Sequence, residues 1–159
     1  MIWKVNGIPN FAAVEPGIYR GGQPDANGWK YLQELGVTQV IKLNEDSEAI
    51  DHVPEGMALF KVQIPQGEQI ITEPNMQYLE DAIGFIEPNT LVHCQHGQDR
   101  TGLVIGMYRV RQGWSKSRAY DEMIAFGFHP ELFGLAKAWE DFKASDEQPI
   151  GKVVCRGKA

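Results

Sequence analysis

Cysteine, long apolar runs and positive charge are all scarce in this chain. Its two cysteines, Cys94 and Cys155, are too few for the framework of four or more that staples small secreted domains. The longest apolar stretch, Gly102 to Tyr108 with glycine counted, has seven residues, far short of the roughly 20 that span a bilayer. Fifteen Lys and Arg face 21 Asp and Glu, a net charge of −6. That balance excludes wide contact with a nucleic-acid backbone, which needs a clustered basic face. An anionic substrate must therefore be attracted locally, because the field of the whole molecule repels it. Met1-Ile2-Trp3-Lys4 lacks the basic leader and long apolar stretch of a secretion signal. The expectation is a cytoplasmic monomer with no stable membrane insertion and no nucleic-acid partner.

What is present suits an ordinary globular domain. The 159 residues are 43% hydrophobic and 23% charged, enough for one domain over residues 1–159 with a core of about 14–142. The opening segment to Asn10 carries no clear period. Ile18-Tyr19-Arg20 reads as a short strand closed by Gly21-Gly22. Asp25 is placed to cap a helix with Trp29, Leu32 and Leu35 on its inner side, stopped by Gly36. Val37 to Leu43 reads as a buried strand, Glu45 to Gly56 as an acidic loop, and Leu59 to Ile64 as a second strand. A helix from Asn75 ends before Pro88, and Thr90 to His93 is a short apolar strand. Helices follow at about Thr101–Gln112, Ser115–Ala125 and Glu131–Lys143. Strands alternating with helices, and helices clustered at the end, predict an α/β fold with a short, mostly parallel central sheet. Ligands of such sheets sit beyond the carboxyl ends of the strands, where the turn from Cys94 to Arg100 lies.

That turn carries the chemistry. His93-Cys94-Gln95-His96-Gly97-Gln98-Asp99-Arg100-Thr101-Gly102 places a cysteine at a strand end, five loop residues, and an arginine at a helix start. Phosphate needs converging N–H donors, which a helix N-terminus and the successive amides from Gln95 to Arg100 supply. Gly97 permits a positive φ in mid-loop, and Gly102 would let helix and strand approach closely. Arg100 offers a planar fork for two phosphate oxygens. The helix dipole and the guanidinium favour the thiolate of Cys94, a nucleophile seated beneath a cradled phosphorus. Thr101 can donate its hydroxyl to the sulfur. The same residues have blander readings. Cys94 could be a buried structural thiol. His93, Cys94, His96 and Asp99 could be a metal cluster, but adjacent strand residues point to opposite faces, so His93 and Cys94 cannot easily share an ion. Arg20 could reach the phosphate mouth or be a surface charge after its strand, the second reading ranking first, and His52 and His129 read as surface or satisfied histidines. Cys155 reads as an unpaired thiol in a polar tail.

The run matches His-Cys-x5-Arg-Ser/Thr-Gly, and the sequence resembles the cysteine-dependent phosphatases, most closely the small atypical dual-specificity group. Glu15-Pro16-Gly17-Ile18-Tyr19-Arg20-Gly21-Gly22-Gln23-Pro24 is similar to that group's N-terminal strand and turn, and Leu32 to Ile41 to its first helix and next strand. The likeness covers about Val14 to Phe142. It implies Cys94 as nucleophile through a phosphocysteine, and Arg100 binding phosphate with Gln95, His96, Gly97, Gln98 and Asp99. It also implies His93 as organiser of the loop and Thr101 as helper of the second step, without metal or cofactor. The substrates it implies are phosphotyrosine, phosphoserine or phosphothreonine proteins, or inositol phosphates and phosphoinositides. Lys42 and Lys61 are candidate cations around the mouth for the latter.

One part of the pattern is missing. The family's general acid is usually an Asp on the loop before the helix preceding the nucleophile strand, and Pro65 to Pro74 contains none. The carboxylates available are Glu68 and Glu73, on that loop, and Asp99, which resembles the Asp before the loop arginine of myotubularins and some bacterial phosphatases. Asp99 ranks first, because a carboxylic acid beside bound phosphate is suited to donate a proton. Its alternative role is to orient the loop. The missing Asp also leaves open a phosphate-binding module that has lost turnover.

Overall fold

The computed structural model describes residues 3–65 and 73–143. Two short strands, β1 (Lys4–Val5) and β2 (Ile8–Pro9), form a hairpin ahead of a five-stranded sheet. The sheet holds β3 (Ala12–Glu15), β4 (Ile18–Gly21), β5 (Gln39–Lys42), β6 (Ala58–Lys61) and β7 (Thr90–His93) in the spatial order β3-β4-β7-β5-β6. Only β3 and β4 run antiparallel; β4, β7, β5 and β6 are parallel neighbours. The helices are α1 (Ala26–Leu35), α2 (Met76–Phe85), α3 (Arg100–Arg111), α4 (Lys116–Ala125) and α5 (Phe133–Asp141).

Local signals explain most element ends. The Asp25 carboxylate accepts the Gly28 N–H at 2.9 Å, and Gly36 closes α1 in the left-handed conformation. Asn75 and Ser115 cap α2 and α4 in the same way. Some expected elements are shorter than the sequence suggests, β5 at Gln39–Lys42 among them. β6 ends at Lys61, and Val62 and Ile64 continue as irregular chain, their N–H groups bonded to Lys42 and Leu43 carbonyls. The last helix spans only Phe133–Asp141.

The sheet buries a core on each face. Trp29, Leu32, Val40 and Leu91 pack on the α1 side. Ile18, Ile41, Val92, Leu103 and Trp139 pack with the other helices on the opposite side. Strand alternation divides His93 and Cys94 between them: His93 lies edge-on to Trp29, whereas Cys94 joins the larger core. The carboxyl ends of β4, β7 and β5 come together at one edge, with the turn to α3 above them.

Candidate active site

Cys94 follows β7 directly and is 2% exposed; its N–H donates to the Gly21 carbonyl at 3.4 Å. Among the five residues that follow, Gly97 has φ +76°, as the sequence suggested. A Cβ there would lie 2.6 Å from the Gly22 nitrogen, and one on Gly22 would lie 2.7 Å from the Gln95 carbonyl oxygen. Two backbone segments thus meet where only hydrogen fits. Gly102 is different: its nearest neighbours to an added Cβ are 3.8 Å away, so close helix–strand approach does not require glycine there.

Arg100 is the first residue of α3 and 1% exposed. Its Nη1 and Nη2 donate to the two carboxylate oxygens of Glu48 at 2.9 and 2.8 Å, and Nη1 also to the Ile64 carbonyl at 3.1 Å. The fork is held flat by an acidic loop, not left to swing. The bonds from Arg100 hold the Glu48 carboxyl below its ordinary range.

Beneath the loop lies a buried polar network. Asp51, its side chain fully enclosed, accepts from Lys42 Nζ at 2.8 Å and Gln23 Nε2 at 2.8 Å, and faces His93 Nε2 at 2.6 Å. His93 Nδ1 lies 3.0 Å from the Cys94 carbonyl. Asn44 bridges Gln23 and Gln95 at 2.9 and 3.3 Å. Burial alone would raise the Asp51 carboxyl, but hydrogen bonding and charge from His93, helped by Lys42 and Gln23, hold it well below the carboxylate range. Lys42 is therefore no cation of the mouth. It is fully buried and committed to Asp51 and the Ala49 carbonyl, because a charge enclosed at a strand end must be paired. Lys61 is exposed and donates to Asp46 at 2.7 Å.

The remaining expected site residues fall as follows. Asp99 accepts the backbone N–H of His129 at 2.7 Å and faces its ring Nδ1 at 3.0 Å, tying the loop to the α4–α5 connection. Thr101 is buried, and its hydroxyl donates to the Gly21 carbonyl at 3.4 Å. His96 is exposed at the rim, and Gln95 and Gln98 are half-buried. Glu68 and Cys155 lie outside the described residues. Arg20 is not a surface charge: it is 1% exposed, stacked 4.0 Å over the Phe126 ring, with Nη2 3.4 Å from the Gly97 carbonyl.

Asn10, Glu48, Asn44 and Asp51 belong to the site with no warning from the active-site motif. Asn10 Nδ2 donates to both the Gly97 and Phe126 carbonyls, at 3.0 and 2.8 Å. The legible signal was charge: a lysine inside a buried strand demands a carboxylate, and the acidic loop directly follows it. Among the described residues, no three His, Cys, Asp or Glu cluster as metal ligands, and no helix is long and apolar enough to cross a membrane.

A thiol at a parallel-strand end, a five-residue turn and a buried arginine opening the next helix define the cysteine-phosphatase class of α/β domain. The catalytic core of the PP-IP phosphatase SIW14 from S. cerevisiae, solved with citrate, superposes with a TM-score of 0.72 at 24% identity, over 90% of this chain and 91% of that one. P. aeruginosa TpbA superposes at 0.70 and 23% identity, over 91% of each chain. These likenesses show the fold. The chain belongs to the tyrosine phosphatase family, whose model matches residues 7–151. In sequence it is 33% identical over 131 residues to the dual specificity protein phosphatase TpbA of Pseudomonas aeruginosa, covering 77% of this chain and 56% of that protein. It is also 27% identical over 123 residues to the inositol diphosphatase DSP2 of Oryza sativa, covering 71% and 59%. The chain thus spans little more than half the length of these relatives.

Proposed function

We propose that this chain hydrolyses phosphate monoesters through a phosphocysteine, acting on a phosphorylated tyrosine side chain in preference to a polyphosphorylated inositol. The Cys94 thiolate attacks phosphorus, the P–O bond to the leaving group breaks, and the leaving oxygen takes a proton. Water then attacks the phosphocysteine, the P–S bond breaks, and phosphate departs. Arg100 and the loop amides hold the equatorial oxygens as charge builds on them. Thr101 serves the second step, where the sulfur leaves. His93, clamped by Asp51, fixes the strand end that carries the nucleophile.

The substrate preference rests on one observation: neither candidate cation of the mouth is free. Lys42 is enclosed with Asp51 and Lys61 is paired with Asp46. Glu45, Asp46 and Glu48 lie on the adjoining loop, and the 66–72 segment contains no Lys or Arg. A groove of about 530 Å³ next to the end of β6 is lined by Lys61, Val62, Gln63, Asp46, Tyr78, Asp81 and Phe85. Aromatic rings and carboxylates suit a peptide carrying one phosphate and repel a polyanion. A phosphotyrosine peptide is therefore expected to show kcat/KM at least tenfold above that of inositol hexakisphosphate at physiological ionic strength. The reverse order would transfer the chain to the inositol phosphates.

Asp99 is the proton donor in this scheme, held toward the α4–α5 connection by His129. Asp99→Asn should slow hydrolysis of phenyl phosphate by about 10²-fold or more while sparing p-nitrophenyl phosphate, whose leaving group needs no proton. An equal loss on both esters would reduce Asp99 to an anchor of the loop, and a selective loss in Glu68→Gln would move the role there.

A further inference from the structure

Strand register places Arg20 on the nucleophile's side of the sheet. It pairs with Val92 across β4 and β7, so its side chain shares a face with Val92 and, two residues on, Cys94. There it is enclosed between β4, the first turn of α3 and the α4–α5 connection. Nη2 reaches the Gly97 carbonyl and would lie 3.8 Å from a Cβ on Gly102. The guanidinium lies over Phe126. Among the described residues, Nε and Nη1 have no hydrogen-bond partner.

A buried guanidinium with unused donors and no contacting carboxylate is costly. Desolvation lowers its pKa to about 10, against the pull of Glu122 on α4 and of Cys94, while Arg109 on α3 works in the same direction as desolvation. A structural arginine would have acquired a partner or been replaced by an apolar side chain. The feature that makes sense of it is negative charge that comes and goes in the loop above.

We propose that Arg20 is a positioning residue of the phosphatase reaction: a second, enclosed cation that braces the loop through Gly97 and favours the anionic state of Cys94 and of its phosphorylated form. It acts through the Gly97 carbonyl and through its charge. Its action complements that of Arg100, which faces Cys94 from α3 and has Glu48 and Glu45 to neutralise it. Arg20 has no such contact and leaves its charge to the loop. The inference rests on Cys94 being the nucleophile.

The test compares the full chain with Arg20→Met, Arg20→Gln and Arg20→Lys, the Gln variant serving if Met does not fold. Cys94 alkylation by iodoacetamide is followed from pH 5 to 9.5, with kcat and KM for p-nitrophenyl phosphate and a melting curve for each protein. The neutral variants are expected to alkylate about tenfold more slowly on the acid limb and at the native rate at pH 9.5, a change of one proton-affinity decade. Their kcat should fall at least tenfold with KM within about threefold of native, and Lys should restore most of both. Alkylation profiles that coincide with native would overturn the proposal, whatever the melting temperatures. Alkylation that leaves native turnover intact would instead overturn the nucleophile assignment, and this role with it.

Discussion

Serine in place of Cys94 is expected to lower p-nitrophenyl phosphate turnover by about four orders of magnitude or more, measured with EDTA present. The substitution replaces one atom in a residue that is 2% exposed, so the fold and the phosphate cradle should survive. What is lost is nucleophilicity. A serine hydroxyl is not ionised near neutral pH, and among the described residues His93, the nearest histidine in the chain, is no base for it, since it points to the other face of the sheet and is engaged by Asp51 and the Cys94 carbonyl. Phosphate affinity should remain near native, because Arg100 and the loop amides are untouched. Equal turnover by both proteins would remove the thiol from the mechanism. Absence of turnover in the native chain would favour a phosphate-binding module.

Arg100→Lys should reduce kcat by about 10²- to 10³-fold, with a smaller rise in KM. The charge is kept, but the fork is not. Arg100 spends two nitrogens on the two oxygens of Glu48 and one of them also on the Ile64 carbonyl, a planar set of bonds that a point-like ammonium cannot make. The same planarity matches two phosphoryl oxygens as charge spreads over them. Steady-state kinetics with a melting curve separates this from unfolding. A lysine variant with more than half the native kcat would show that bidentate geometry plays no part in the transition state.

Local chemistry was legible wherever a residue acts on its own neighbourhood. The Asp25 cap, the Gly36 stop, the Thr90–His93 strand and the positive φ of Gly97 all depend on a few adjacent positions. The cysteine–arginine turn was legible for the same reason. The N-terminal hairpin was missed although its signal is short: Asn6 and Gly7, with φ of +51° and +87°, make a two-residue hairpin turn. Arg20 and Lys42 were misplaced because a cation's burial is decided by distant partners. Lys42 is enclosed only because Asp51 folds back over it, and Arg20 only because Phe126 arrives from the far end of α4. Past the end of β6 the Ile64 carbonyl accepts from Arg100, a contact spanning 36 residues that no local pattern announces.

The backbone interlock between Gly22 and Gly97 means that the reaction centre is not a separable module. The wall against which the Cys94–Arg100 turn is shaped comes from the first two dozen residues: Pro9 and Ile8 pack on Gly22 and Gly21, and Asn10 grips the Gly97 carbonyl. A fragment beginning at β5 would keep every residue of the turn and lose the mould that gives it form. For engineering, the two segments form one heritable unit: grafting this turn onto another scaffold would require transplanting the amino-terminal hairpin along with it.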